Sequence, residues 1–106
     1  MDFSILKSFA KDLKNVKDQK FLNKVKVITE EIKELILTVE NDDEIVFKVK
    51  NTKKITGSDN AYRIKVDDYR IGAEVDKEQV DETGNEKKTF ALKRFLHRKD
   101  TYKKFP

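Results

Sequence analysis

The sequence predicts an α+β domain, with an N-terminal two-helix hairpin packed on one face of a small, twisted antiparallel sheet. Three observations predict it. Apolar residues recur at three- and four-residue spacing through the first part of the chain, the signature of amphipathic helices. They alternate with polar residues in the second part, most clearly over 61–75, the signature of half-buried strands. Helices first and strands afterwards is the order of folds whose helices lie to one side of an antiparallel sheet. At 106 residues, a single domain accounts for 1–106.

Taken in order, Phe3 and Ile5 flank Ser4 in a short strand that runs straight into a helix with Phe9, Leu13 and Val16 on one face. Residues 15–18 read as a break, and Asp18 is placed to cap a second helix. Leu22, Val25, Ile28, Ile32, Leu35, Ile36 and Val39 give that helix its apolar stripe, ending near 40–42. The period then changes. Ile45, Phe47 and Val49 alternate with Val46, Lys48 and Lys50, as in a short strand or an extended loop. Residues 53–60 are rich in turn formers. The clearest hairpin follows: Tyr62, Ile64 and Val66 against Arg63, Lys65 and Asp67, then Tyr69, Ile71, Ala73 and Val75 against Arg70, Gly72 and Glu74. An acidic loop follows, ending at Thr83-Gly84-Asn85; 89–96 reads as a more fully buried strand, and 99–104 as one short helical turn.

Composition limits the classes of function. Charged residues make up 42% of the chain and apolar ones 37%, a balance that raises the question of disorder. The strong periodicity, with Gly 3 and Pro 1, answers for a folded domain with a charged surface. Without cysteine there are no disulfides and no thiolate metal sites. The opening residues show no basic leader before an apolar run, and no run approaches the ~18 residues of a membrane span. A cytoplasmic protein away from membranes is the expectation. Net charge is +4 with a pI near 9.2. The distribution says more than the sum. Over 86–106, Lys87, Lys88, Lys93, Arg94, Arg98, Lys99, Lys103 and Lys104 face only Glu86 and Asp100, whereas 74–86 is the reverse. That segregation suits a basic working surface for a polyanion.

If Asp67-Asp68 forms a two-residue turn, Val66 pairs with Tyr69 and Lys65 lies opposite Arg70. Alternation then sends Arg63, Lys65 and Arg70 to one face and Tyr62, Ile64, Val66, Tyr69 and Ile71 towards the helices. Like charges opposite each other disfavour folding. The same arrangement is a ready phosphate site, with a bidentate fork from each arginine and a point charge from lysine. His97 is the one side chain whose ordinary pKa lies near neutrality, which suits proton transfer. No Ser/His/Asp set, paired histidine ligands or Gly-rich phosphate loop is present, so metal hydrolysis and nucleotide chemistry are not expected and no cofactor is called for. Tyr102, beside a basic cluster, suits stacking on an unstacked base. Phe105 reads as an anchor for the C-terminal turn.

The segments Lys54-Ile55-Thr56-Gly57, Tyr62-Arg63-Ile64-Lys65-Val66-Asp67-Asp68-Tyr69-Arg70-Ile71-Gly72 and Phe95-Leu96-His97-Arg98-Lys99-Asp100-Thr101-Tyr102 resemble, in order and spacing, the RelE/ParE family of type II toxins. The opening Leu6-Lys7-Ser8-Phe9-Ala10-Lys11-Asp12-Leu13 is similar to that family's first strand and helix. The resemblance implies a ribosome-dependent endoribonuclease that cuts messenger RNA without a metal, by attack of a ribose 2′-hydroxyl on the adjacent phosphate. It implies Arg63, Arg70 and Arg98 as charge stabilisers, Lys65 or His97 as the proton-handling group, and Tyr102 as the residue that orients a base. Lys53, Lys54 and Lys99 would extend the RNA-binding surface. It also implies a partner, a small acidic antitoxin. The ParE-like branch, which poisons DNA gyrase, shares these segments, and an inactive antitoxin- or RNA-binding module would keep them too. The turn Asp67-Asp68 departs from the family, where a glycine commonly precedes the aspartate, and the 76–88 loop is longer and more acidic than usual.

Overall fold

The computed structural model of the chain describes residues 1–79 and 82–106, the side chains of Gln79 and Tyr102 excepted. Strand β1 (Asp2–Ile5) leads into α1 (Lys7–Lys14) and α2 (Gln19–Ile36). A 3₁₀ turn (Asp42–Glu44) and the short α3 (Ile45–Lys48) follow, then β2 (Thr52–Lys54), β3 (Ala61–Val66), β4 (Tyr69–Gln79), β5 (Glu86–His97) and α4 (Arg98–Lys104). Among the described residues the five strands form one sheet in the order β1-β5-β4-β3-β2. The α+β layout expected from the sequence is the one observed. The sheet is mixed, however: β1 runs parallel to β5 and the other pairs are antiparallel. Pairing direction leaves no trace in a four-residue apolar alternation, so this edge was not legible.

The helices cover one sheet face. Phe9, Val16, Val25, Ile32 and Ile36 pack with Tyr62, Ile64, Val66, Ile71, Ala73, Val75, Phe90, Leu92 and Phe95 in a single core. Burying side chains of this size contributes roughly 1.5–3 kcal/mol each relative to exposure. Asp18 caps α2 as its position suggested, its carboxylate accepting from the Lys20 and Phe21 N–H groups at 3.0 and 3.2 Å. The helix stops at Ile36, earlier than the apolar spacing implied. Thr38 Oγ1 donates to the Leu35 carbonyl at 2.7 Å, and Lys48 Nζ reaches the Thr38 carbonyl at 3.1 Å. These bonds engage carbonyls that would otherwise continue the ladder.

The alternation over 45–49 is helical and not a strand. The Asn41 N–H donates to the Glu44 carboxylate at 3.1 Å, and Lys48 pairs with Glu44 at 2.9 Å, one turn away. Those contacts hold Glu44 ionised, its pKa lowered first by the Lys48 hydrogen bond and then by the Asn41 N–H. The turn buries Ile45 and Val49, four apart, and leaves Phe47 outside. Lys53 and Lys54, which open the stretch read as turns, form edge strand β2 with Thr52, paired with β3. Most of the stretch read as an acidic loop is ribbon: Asp76 pairs with Thr89, Lys77 with Lys88, Glu78 with Lys87 and Gln79 with Glu86. Val80 and Asp81 of that loop lie outside the described residues.

Where β5 runs past β1, helix α1 replaces the missing neighbour. Ser8 Oγ donates to the Lys93 carbonyl. Asp12, one turn on, accepts from the Phe95 N–H at 2.9 Å and from Arg94 Nε at 2.7 Å. A second, smaller core lies on the opposite sheet face, where Ile55, Ala61, Leu96 and Phe105 meet under α4.

Candidate nucleic-acid interface

The hairpin turns at Asp67-Asp68 with the expected register: Val66 opposite Tyr69, Lys65 opposite Arg70, Arg63 opposite Gly72. Lys53 of β2 lies across from Arg63. Strands about 4.8 Å apart therefore bring Lys53, Arg63, Lys65 and Arg70 together on the outer face. From the far side, α4 contributes Arg98 and Lys99. Arg63, Arg70, Arg98, Lys99 and Thr101 line one cavity of about 420 Å³. A neighbouring one of about 510 Å³ is lined by Asn51, Thr52, Lys53, Arg63, Lys65 and Arg70. Arg63 also borders a third hollow with Lys53, Lys54, Ile55 and Thr56. One basic groove thus runs from β2 to α4, with Arg63 shared along its length.

Backbone contacts fix the groove. A guanidinium nitrogen of Arg70 donates to the Asp67 and Tyr69 carbonyls, each at 2.9 Å. The Arg98 N–H donates to the Asp68 carbonyl at 2.8 Å, which ties the start of α4 to the hairpin turn. Among the described residues no carboxylate pairs with Lys53, Lys54, Lys65, Arg70, Arg98 or Lys99. The Asp67 carboxylate, the unusual acid of the turn, points to α2 instead, pairing with Lys24 at 3.0 Å. A groove lined by Lys53, Arg63, Lys65, Arg70, Arg98 and Lys99 can hold a phosphodiester, and its arginines can meet charge that builds up on phosphate oxygens.

The β5 part of the C-terminal basic run serves the fold. Lys87 pairs with Asp2 and Lys88 with Asp42. Burial alone would depress the Lys93 ammonium, yet hydrogen bonds and charge from Asp76 and Glu74 carry it above its ordinary value. The Asp12 hydrogen bond raises Arg94 further above its ordinary range.

His97 is not among the groove residues. It lies across from Tyr69 on the helix-facing side, its ring 5.4 Å from the tyrosine ring, while Tyr69 stacks on Phe95 at 4.9 Å. Its Nδ1 accepts the Lys99 N–H at 3.3 Å and caps α4. Tyr102 belongs to α4, but its side chain lies outside the described residues. Two groove features escaped the sequence reading, Thr101, buried at the groove wall, and Gly72; Phe105 anchors the C-terminal turn as expected, with Gly72 as its seat. A glycine inside a strand of β-branched and aromatic residues was the available signal. No helix among the described residues is long and apolar enough to cross a membrane.

No family model matches the chain. Toxin RelE3 of Methanocaldococcus jannaschii is 36% identical over 100 residues, spanning 94% of this chain and 93% of its own length. The crystal structure of a RelB-RelE antitoxin-toxin complex from Methanococcus jannaschii contains a chain that is 35% identical, with a TM-score of 0.56 over 96% of this chain and 98% of that one.

Proposed function

The chain belongs to the RelE toxin family, the toxins of type II toxin-antitoxin modules, and from that premise we propose that its outer-face groove cleaves messenger RNA on the ribosome. The observation that supports this most is the lining of one cavity by Arg63, Arg70 and Arg98. The reaction is a transesterification. The ribose 2′-oxygen forms a bond to phosphorus, the bond to the 5′-oxygen breaks, and the products carry a 2′,3′-cyclic phosphate and a free 5′-hydroxyl. Lys65 takes the 2′-proton, and a proton is returned to the leaving 5′-oxygen. The three arginines stabilise the pentacovalent phosphorane, whose charge exceeds that of the starting diester. Lys53, Lys54 and Lys99 hold flanking phosphates. His97 organises α4 from the other side of the sheet, and Lys65 handles the protons.

The similar solved complex pairs a RelE toxin with a RelB antitoxin. By that likeness this chain is held inactive by a small acidic antitoxin docked on the basic groove or along the open edge of β2. A ribosomal target places its work in the cytoplasm. The end groups of the RNA fragments test the reading. Fragments made on programmed ribosomes should carry 2′,3′-cyclic phosphates and 5′-hydroxyls, and 5′-phosphate ends would exclude this chemistry. Intact RNA together with inhibited DNA supercoiling would move the assignment to gyrase poisoning.

A further inference from the structure

We infer that Phe105 is a positioning residue of this site, a ring seated on Gly72 that holds α4, and with it Arg98, over the arginines of the sheet; the inference rests on the cleavage reading above. A Cβ added at Gly72 would lie 2.7, 2.8 and 2.9 Å from three atoms of the Phe105 ring. The ring is 5% exposed although Phe105 is the next-to-last residue, and Ile55, Ala61 and Leu96 complete its socket. Gly72 lies directly opposite Arg63, so the ring sits beside the groove's shared arginine.

The geometry pins α4 at both ends. The Arg98 N–H is bonded to the hairpin turn at 2.8 Å; at the other end the Phe105 ring fills its socket, and its N–H closes the last turn of α4 on the Thr101 carbonyl at 3.1 Å. Thr101, buried between the two, donates its hydroxyl to the His97 carbonyl at 3.2 Å. Charge makes the anchor necessary. Arg98 and Lys99 on α4 share a cavity with Arg63 and Arg70 of a sheet face that also carries Lys65, and like charges repel. An apolar ring in a socket opposes that repulsion without neutralising the groove. Glycine at position 72 weakens a strand, and its smallness is what admits the ring.

The test compares Phe105→Ala, Gly72→Ala, their combination, and Phe105→Leu in single-turnover cleavage on programmed ribosomes. Phe105→Ala should slow cutting at saturating ribosomes about ten- to a hundredfold, the scale of small misplacements, with the half-saturating concentration little changed. Phe105→Leu should keep most of the rate. Gly72→Ala should match Phe105→Ala, because its methyl strikes the ring. With the ring already gone, Gly72→Ala should cost little more, and Arg98→Ala should cost less than it does in the wild type. Wild-type rates from Phe105→Ala, or losses that multiply, would overturn the inference. Should Phe105→Ala fail to fold, Gly72→Ala is compared with and without Phe105→Leu, whose smaller side chain makes room. Recovery supports the anchor, and persistent loss removes it. If the wild type cuts nothing, the cleavage reading fails, and amide exchange judges the anchor separately. The α4 amides should lose protection in both single variants while β3 and β4 keep theirs. Retained α4 protection would refute it.

Discussion

At Asp67 the backbone turns with φ 54°, a left-handed conformation that favours glycine. The carboxylate finds Lys24, but both side chains are more than half exposed, and a pair so solvated contributes at most about 1 kcal/mol. Asp67→Gly should therefore leave stability unchanged or raise it, by up to about 1 kcal/mol in urea unfolding. A clear loss would mean that the Lys24 pair matters more than its exposure allows. Tyr62 gives a pH signature. Burial pushes its phenol above the ordinary 10.0, and the charges of Asp42 and Asp43 add to this. A folded value raised above the unfolded one means that its contribution is complete below the ordinary pKa. It is lost as pH rises through the folded value, because the unfolded chain releases the proton first. Between pH 9 and 11 the wild type should lose more stability than Tyr62→Phe, and equal slopes would contradict this. At this scale alternation made Arg63, Lys65 and Arg70 legible, since it fixes the face of every strand residue. Asp12 was not legible, because its partner Arg94 lies 82 positions away and nothing local announces the pair.

The elements that could be read were those whose pattern is their own. The stripe of α2 and its cap at Asp18 need no knowledge of neighbours, and Asp18→Ala should cost about 1 kcal/mol, with Asp18→Ser retaining most of the cap. A thermal or urea midpoint checks it, and an unaffected midpoint would mean that the carboxylate's two hydrogen bonds do not contribute. Elements set by partners were lost. β2 has three residues and exists because β3 offers it an edge; β1 is parallel only because β5 lies beside it. α3 is helical because Glu44 closes the preceding 3₁₀ turn on Asn41 and pairs with Lys48 across α3 itself, and an alternating run of five residues carries no warning of that.

For the molecule as a whole, the fold divides its charge. Carboxylates at Asp2, Asp12, Asp42, Glu74 and Asp76 engage Lys87, Lys88, Lys93 and Arg94 of β5, while Lys53, Lys65, Arg70, Arg98 and Lys99 line the outer-face groove with Arg63. Sequence counts saw one basic C-terminal run. The structure splits it at the end of β5, with Lys87, Lys88, Lys93 and Arg94 in ion pairs and Arg98 and Lys99 in the groove. No pattern in the sequence marks that division, because the acids that take up the first four come from β1, α1, β4 and the 3₁₀ turn. The most direct measurement is primer extension on a messenger RNA in a reconstituted translation reaction, with and without ribosomes, using the wild type and Arg70→Ala. Cuts should require the ribosome and fall by about a hundredfold or more in Arg70→Ala, as for loss of a charge-stabilising group. Cuts by Arg70→Ala at the wild-type rate, or no cuts by a folded wild type, would contradict this.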